Sequence, residues 1–146
     1  MIGLDVGDRR IGVAAADGLG LTAQGLPTIE RRKPEEDLDR VVAVIKDRKA
    51  STLVVGLPRN MDGSYGFQAE KVRGFVEALL SRVGTAGLAE PKVVYWDERL
   101  TTVAADRTLL EADLSRKKRK VAVDKLAAVF ILQGYLDRIN GACYTR

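Results

Sequence analysis

Three places in this chain hold carboxylates beside or inside apolar segments. Asp5 interrupts the run Ile2-Gly3-Leu4-Asp5-Val6, Asp97 and Glu98 close the run Val93-Val94-Tyr95-Trp96, and Asp124 stands just ahead of the apolar stretch Leu126 to Leu132. Like charges are costly to gather in a folded interior unless a cation neutralises them. Mg2+ and Mn2+ take oxygen ligands, often a few carboxylates completed by water and a substrate phosphate. Two such ions, about 4 Å apart, can activate water and stabilise the leaving oxygen in phosphodiester cleavage. The acids therefore point to hydrolysis at phosphorus, provided the fold brings them together. Each also has a plain structural reading. Asp5 could cap its own turn, Asp97 or Glu98 could mark a strand end, and Asp124 could be the N-cap of the last helix.

The rest of the composition narrows the chemistry. The 146 residues contain no histidine and one cysteine, Cys143. That excludes a Ser-His-Asp or Cys-His relay, a histidine-ligated zinc, an iron–sulfur cluster and an intrachain disulfide. Lysine and arginine number 24 against 20 acids, a net charge of +4. So mild a surplus suits a polyanionic partner without requiring one. The longest apolar run, Leu126 to Leu132, is too short to span a bilayer. The start, Met1-Ile2-Gly3-Leu4-Asp5, lacks a basic signal-peptide region, so a cytoplasmic protein with no membrane partner is expected.

Elements must position these acids. Ile2 to Val6 reads as a strand, Gly7 to Arg10 as a turn, Ile11 to Ala16 as a second strand, and about Leu19 to Ile29 as a third. Pro34 followed by Glu35, Glu36 and Asp37 starts a helix. Thr52 to Gly56 is a buried strand, Val72 to Val83 the core of an amphipathic helix, and Val93 to Trp96 a fifth strand. Thr101, or Thr102, caps a helix running to about Glu111; Asp113 to Lys120 reads as a loop, and Val123 to about Ile139 as the last helix. The order βββαβαβαα predicts an α/β fold with a mixed five-stranded sheet and helices on both faces, in one domain spanning 1–146. Sites in open α/β sheets lie at the C-terminal ends of parallel strands, where Asp5 and Asp97-Glu98 stand.

Four blocks in order carry a family resemblance. They are Gly3-Leu4-Asp5-Val6-Gly7-Asp8-Arg9-Arg10-Ile11-Gly12-Val13-Ala14, then Val54-Val55-Gly56-Leu57-Pro58 with Asp62-Gly63-Ser64, then Asp97-Glu98-Arg99-Leu100-Thr101-Thr102, then Asp124-Lys125-Leu126-Ala127-Ala128 with Ile131-Leu132. Together they resemble the YqgF/RuvX family, RNase H-like nucleases described as Holliday junction resolvases and as nucleases processing the 5′ end of the 16S ribosomal RNA precursor. The similarity runs from Ile2 to about Leu136. It implies an RNase H-like fold, Asp5, Glu98 and Asp124 as catalytic metal-binding carboxylates, and a 5′ phosphate and 3′ hydroxyl as products.

Cations near these acids are candidates for holding nucleic acid. Arg10 in the first turn could take a phosphate by a bidentate contact, whereas Arg9 reads as solvated. Arg99 could orient Glu98 or clamp phosphate. The run Arg116-Lys117-Lys118-Arg119-Lys120, close to Asp124, suits backbone contact without sequence readout. The loop Leu57 to Ser64 borders the expected site and suits substrate contact. Aromatics are few and show no interleaving with cations, so a stacking platform for single strands is not expected.

The leading reading is a nuclease dependent on Mg2+ or Mn2+, with two ions, acting on branched DNA or precursor ribosomal RNA as a monomer or homodimer. A non-catalytic nucleic-acid-binding module of the same fold is the alternative. An actin-like ATP-binding protein would share the Gly-x-Asp-x-Gly opening but needs two lobes, which 146 residues cannot supply.

Overall fold

A computed structural model describes residues 1–58, 62, 64–97 and 116–140, with the side chains of 116–125 outside the description. Five strands form one sheet: β1 (Ile2–Val6), β2 (Arg10–Ala16), β3 (Ala23–Glu30), β4 (Thr52–Leu57) and β5 (Lys92–Asp97), in the order β3-β2-β1-β4-β5. The first three pair as an antiparallel meander; β1, β4 and β5 run parallel. Helices α1 (Pro34–Arg48) and α2 (Phe67–Thr85) follow β3 and β4, and α3 (Arg116–Ile139) ends the described chain. The helix expected over about 101–111 lies outside the described residues.

Strand alternation divides the core into two layers. Ile2, Leu4 and Val6 of β1 and Leu53 and Val55 of β4 pack with Val41 and Ile45 of α1 and Val72 and Leu79 of α2. On the opposite face Ala14, Val54 and Trp96 pack with Ala128, Ile131, Leu132 and Leu136 of α3. The helices therefore cover both faces, as the order of elements predicts.

The boundaries differ from the sequence reading in two places. β3 starts at Ala23 rather than near Leu19, because Asp17 holds the chain in a longer turn. Its Oδ1 accepts the Leu21 N–H at 2.8 Å, and its Oδ2 accepts the Thr22 hydroxyl at 3.0 Å. The Leu21 bond chiefly holds the Asp17 carboxyl below its ordinary range. The last helix begins at Arg116, not Val123, so the basic run expected in a loop forms its opening turns. Arginine and lysine are good helix formers, and their spacing as a charge run concealed that propensity. The same boundary removes the capping role for Asp124, which lies inside the helix, two turns past its start.

Close approach fixes how α3 sits. A Cβ on Gly134 would lie 2.9 Å from Trp96 Cζ2 and 3.2 Å from Cε2. Gly134→Ala is expected to cost about 1–2 kcal/mol through overpacking, measured by denaturant unfolding. The combination with Trp96→Phe, which removes Cζ2, the nearer of the two atoms, should show a compensating coupling in a double-mutant cycle. Strict additivity would contradict this contact.

Candidate active site

Asp5 sits on β1, the middle strand of the sheet, among buried neighbours and is itself partly buried. Its face follows from register. Gly3 pairs with Ala14 on β2 and Val54 on β4, both in the α3 layer, and Asp5 lies two residues further along the same face. Directly across from Asp5 on β2 is Gly12, which has no side chain. The β2 position beside the carboxylate therefore contributes backbone alone.

The two glycines of the Gly-x-Asp-x-Gly opening, Gly3 and Gly7, have separate jobs. A Cβ on Gly3 would lie 2.7 Å from Leu132 Cβ and 3.0 Å from the Ala128 carbonyl oxygen, so the absent side chain lets α3 settle onto the sheet. Gly7 starts the β1–β2 turn and donates its N–H to the Arg10 carbonyl at 2.9 Å. A Cβ there would stand 2.9 Å from that same oxygen. The motif thus packs a helix and closes a hairpin around the acid between its glycines.

The direction of α3 places Asp124 relative to Asp5. Gln133 binds the other end of the sheet: its Oε1 accepts the Ala23 N–H and its Nε2 donates to the Leu21 carbonyl, each at 2.9 Å. Asn140 donates to the Gly20 carbonyl at 3.0 Å. The C-terminal half of α3 therefore lies toward the Met1 end of β1, and the helix runs against the strand. From Gly3, which touches Ala128 and Leu132, two strand residues lead to Asp5 and one helical turn back from Ala128 leads to Asp124. Both steps measure about 6–7 Å, so the two positions stay level. Asp124 shares the i, i+4 row of Ala128, Leu132 and Leu136.

The parallel register brings the end of β5 to the same rim. β4 pairs with β5 up to Leu57 with Asp97, and β1 with β4 through Leu4 with Val55. The C-terminal ends of β1, β4 and β5 thus share one edge. Glu98, the residue after β5, lies outside the described residues, as does Arg99. Among the described residues no group of three or more potential metal ligands occurs, because only Asp5 of the predicted set has a described side chain. By its chemistry, an all-carboxylate donor set would suit a hard divalent ion.

Of the predicted cations, Arg10 lies on the Asp5 face, two residues before Gly12 on β2. Its Nε meets Glu30 Oε1 at 2.9 Å across the β2–β3 pair, which fixes the side chain beside the rim. The residues Arg116 to Lys120 occupy the turns of α3 ahead of Asp124, with no acid in the first turn. Of the β4–α2 loop, residues 59–61 and 63 lie outside the described residues; Asp62 Oδ1 accepts both the Ser64 N–H and its hydroxyl, at 2.9 and 2.6 Å.

Two features escaped the sequence reading. Asp37, read as an ordinary first-turn acid, is 1% exposed. Its carboxylate accepts Arg31 Nε at 3.1 Å and the Arg32 N–H at 2.9 Å, while Arg31 also donates to the Gly7 carbonyl at 2.9 Å. This pair ties the start of α1 to the motif turn. The sequence reading also did not anticipate the cation–ring contacts around α2. Arg73 lies over Tyr65 at 4.5 Å, Lys71 over Phe67 at 4.8 Å and Arg31 over Phe75 at 5.2 Å. The spacing of Tyr65, Phe67, Lys71, Arg73 and Phe75 was the available signal.

The solved structures most like this fold include Thermus thermophilus RuvC in complex with a Holliday junction substrate (TM-score 0.55, 18% identity, 97% of this chain and 98% of that one). A second structure of Thermus thermophilus RuvC gives a TM-score of 0.51 at 18% identity, covering 97% of each chain. These show the fold, the RNase H-like one that the resemblance implied. Sequence relatives are far nearer. A Clostridium acetobutylicum protein named "Putative pre-16S rRNA nuclease" is 51% identical over 139 residues, 95% of this chain and 98% of its own. One of the same name from Moorella thermoacetica is 54% identical over 140 residues, 96% of both. The family model described as "RuvX: Holliday junction resolvase" matches residues 1–138, and with these relatives it shows that the chain belongs to the RuvX family.

Proposed function

We propose that this chain is a metal-dependent nuclease, one domain over 1–146, that hydrolyses phosphodiester bonds at the 5′ end of the 16S ribosomal RNA precursor. The observation that carries the reading is the level placement of Asp5 on β1 and Asp124 on α3 across the layer that Gly3 allows to close. Asp5, Glu98 and Asp124 would hold Mg2+ or Mn2+, two ions in all. When bound, the ions supply an activated water and charge stabilisation at the leaving oxygen. With no histidine in the chain, the carboxylates are the groups at the rim able to accept a proton. Expected products are a 5′ phosphate and a 3′ hydroxyl. Relatives about half identical carry the precursor-nuclease name, which favours RNA.

Holliday junction cleavage is the second reading, favoured by the family description. A two-fold junction would engage a homodimer; a precursor RNA could be served by a monomer. Cleavage of a synthetic four-way junction and a 16S precursor by one preparation, with Asp5→Asn as control, separates them. Faster metal-dependent cleavage of the precursor supports the first reading, and preference for the junction overturns it.

The run Arg116 to Lys120 belongs to the same reading. Five cations crowd the positive end of a helix dipole, an arrangement that an approaching phosphate backbone would relieve. Replacing all five with glutamine is expected to weaken binding at low salt and flatten the logarithmic salt dependence by several charge equivalents, read by fluorescence anisotropy across a salt titration. An unchanged slope would remove the run from the interface. Among the described residues no helix is long and apolar enough to cross a membrane.

A further inference from the structure

The aromatic–cation cluster at the start of α2 has no place in the carboxylate chemistry. Phe67 is 76% exposed and Tyr65 is 43% exposed, although each ring could be buried elsewhere at a gain. Each has a cation over it, Lys71 and Arg73 respectively. α2 follows β4, so its first turn stands at the strand-end rim that carries Asp5. Lys71 also reaches Asp8 in the motif turn at 3.4 Å, which ties the cluster to the residues just past Asp5. A cleft of about 480 Å³ between α1 and α2 adjoins it, lined by Lys71, Arg31, Arg32 and Phe75, with Asp8 and Asp37.

The cluster lies on the α1/α2 side of the sheet, and the carboxylate faces α3. A strand leaving the site over the rim passes the Asp8 turn and arrives at these rings. Exposed rings with neighbouring cations are the elements that hold unpaired nucleotides: bases stack on the ring faces and the cations take the backbone. A paired duplex offers its bases to no such ring, since they are stacked on each other.

We propose that Phe67 and Tyr65, with Lys71 and Arg73, form a subsite for the unpaired strand that flanks the cleaved bond. The subsite deepens the nuclease reading and rests on it. It gives the chain a way to prefer ends and branches with single-stranded arms over continuous duplex.

Binding without cleavage tests it. The full chain carrying Asp5→Asn, in a metal chelator, is titrated against a labelled blunt RNA duplex and the same duplex with an unpaired extension. Adding Phe67→Ala should weaken binding of the extended duplex about ten-fold while changing the blunt duplex less than about two-fold. Phe67→Trp should restore the affinity, with emission quenched when the extension binds. Lys71→Met should lower the salt slope for the extended duplex by about one charge. Equal losses on both duplexes, or no loss on the extended one, would overturn the subsite. Because Phe67 is exposed, unchanged melting temperatures will confirm that the variants fold. Metal-dependent cleavage by the unsubstituted chain is measured separately. If that cleavage is absent and the extension effect remains, the nuclease reading falls and the strand-binding cluster stands; if cleavage is present and Phe67→Ala has no effect, the subsite alone falls.

Discussion

Asp5→Asn is expected to reduce metal-dependent cleavage about a thousand-fold or more, with nucleic-acid binding and melting temperature nearly unchanged. Asparagine keeps the shape of the side chain and removes its charge. It therefore still fits the partly buried site on the middle strand, opposite Gly12. What it loses is an anionic oxygen for a hard divalent ion, and charge stabilisation by such an ion contributes several kcal/mol to phosphoryl chemistry. Each 1.36 kcal/mol is a factor of ten, so losing most of that stabilisation gives about three powers of ten. Glu98→Gln and Asp124→Asn should behave alike if the three acids act as one set. Single-turnover cleavage of end-labelled precursor across a Mg2+ titration measures the effect, with binding read in chelator. Cleavage retained by a purified single variant would remove that residue from the set. A partial recovery at high Mg2+ would mean weakened ion binding, a loss in affinity rather than in the chemical step.

The sequence carried the sheet almost entirely, since five short strand-like runs separated by turn residues, four of them largely apolar, have few other solutions. It also singled out the three acids as candidates, because a charge inside or beside an apolar run is a local signal. It misplaced what depends on neighbours distant in sequence. The run Arg116 to Lys120 has the composition of a loop and the propensity of a helix, and only packing of Ala128 and Leu132 on β1 decides for the helix. Asp37 looked like one of three equivalent first-turn acids. Its burial depends on Arg31, on the far side of the α1 start, and on the Gly7 carbonyl that Arg31 also holds. The rings at Tyr65 and Phe67 looked too few for a platform, but helical spacing brings Lys71 to Phe67, and Arg73 reaches back to Tyr65.

Gly3 is where fold and chemistry meet, and Gly3→Ala should be damaging to both. The added Cβ would lie 2.7 Å from Leu132 Cβ, 3.0 Å from the Ala128 carbonyl oxygen and 3.5 Å from Leu132 Cα. None of these is the movable end of a side chain. The helix must shift as a body, and overpacking of this kind costs about 3 kcal/mol, the upper part of the usual range. Truncating the neighbour does not help, because Leu132→Ala keeps the Cβ that clashes; the double variant should be less stable than Gly3→Ala, by about 2 kcal/mol or more for the methyl groups lost from a fully buried site. Relief by Leu132→Ala would contradict the assigned contact. The second consequence is catalytic. α3 carries position 124 one turn from the point of collision, so a helix lifted by a few tenths of an ångström shifts that position relative to β1, which on the proposed function disturbs the pairing of Asp124 with Asp5. Cleavage by Gly3→Ala should therefore fall well beyond the loss of folded protein, measured at a temperature where the variant remains native, with a raised Mg2+ requirement. A stable, fully active Gly3→Ala protein would separate the helix contact from the site, and the motif glycine would then need another explanation.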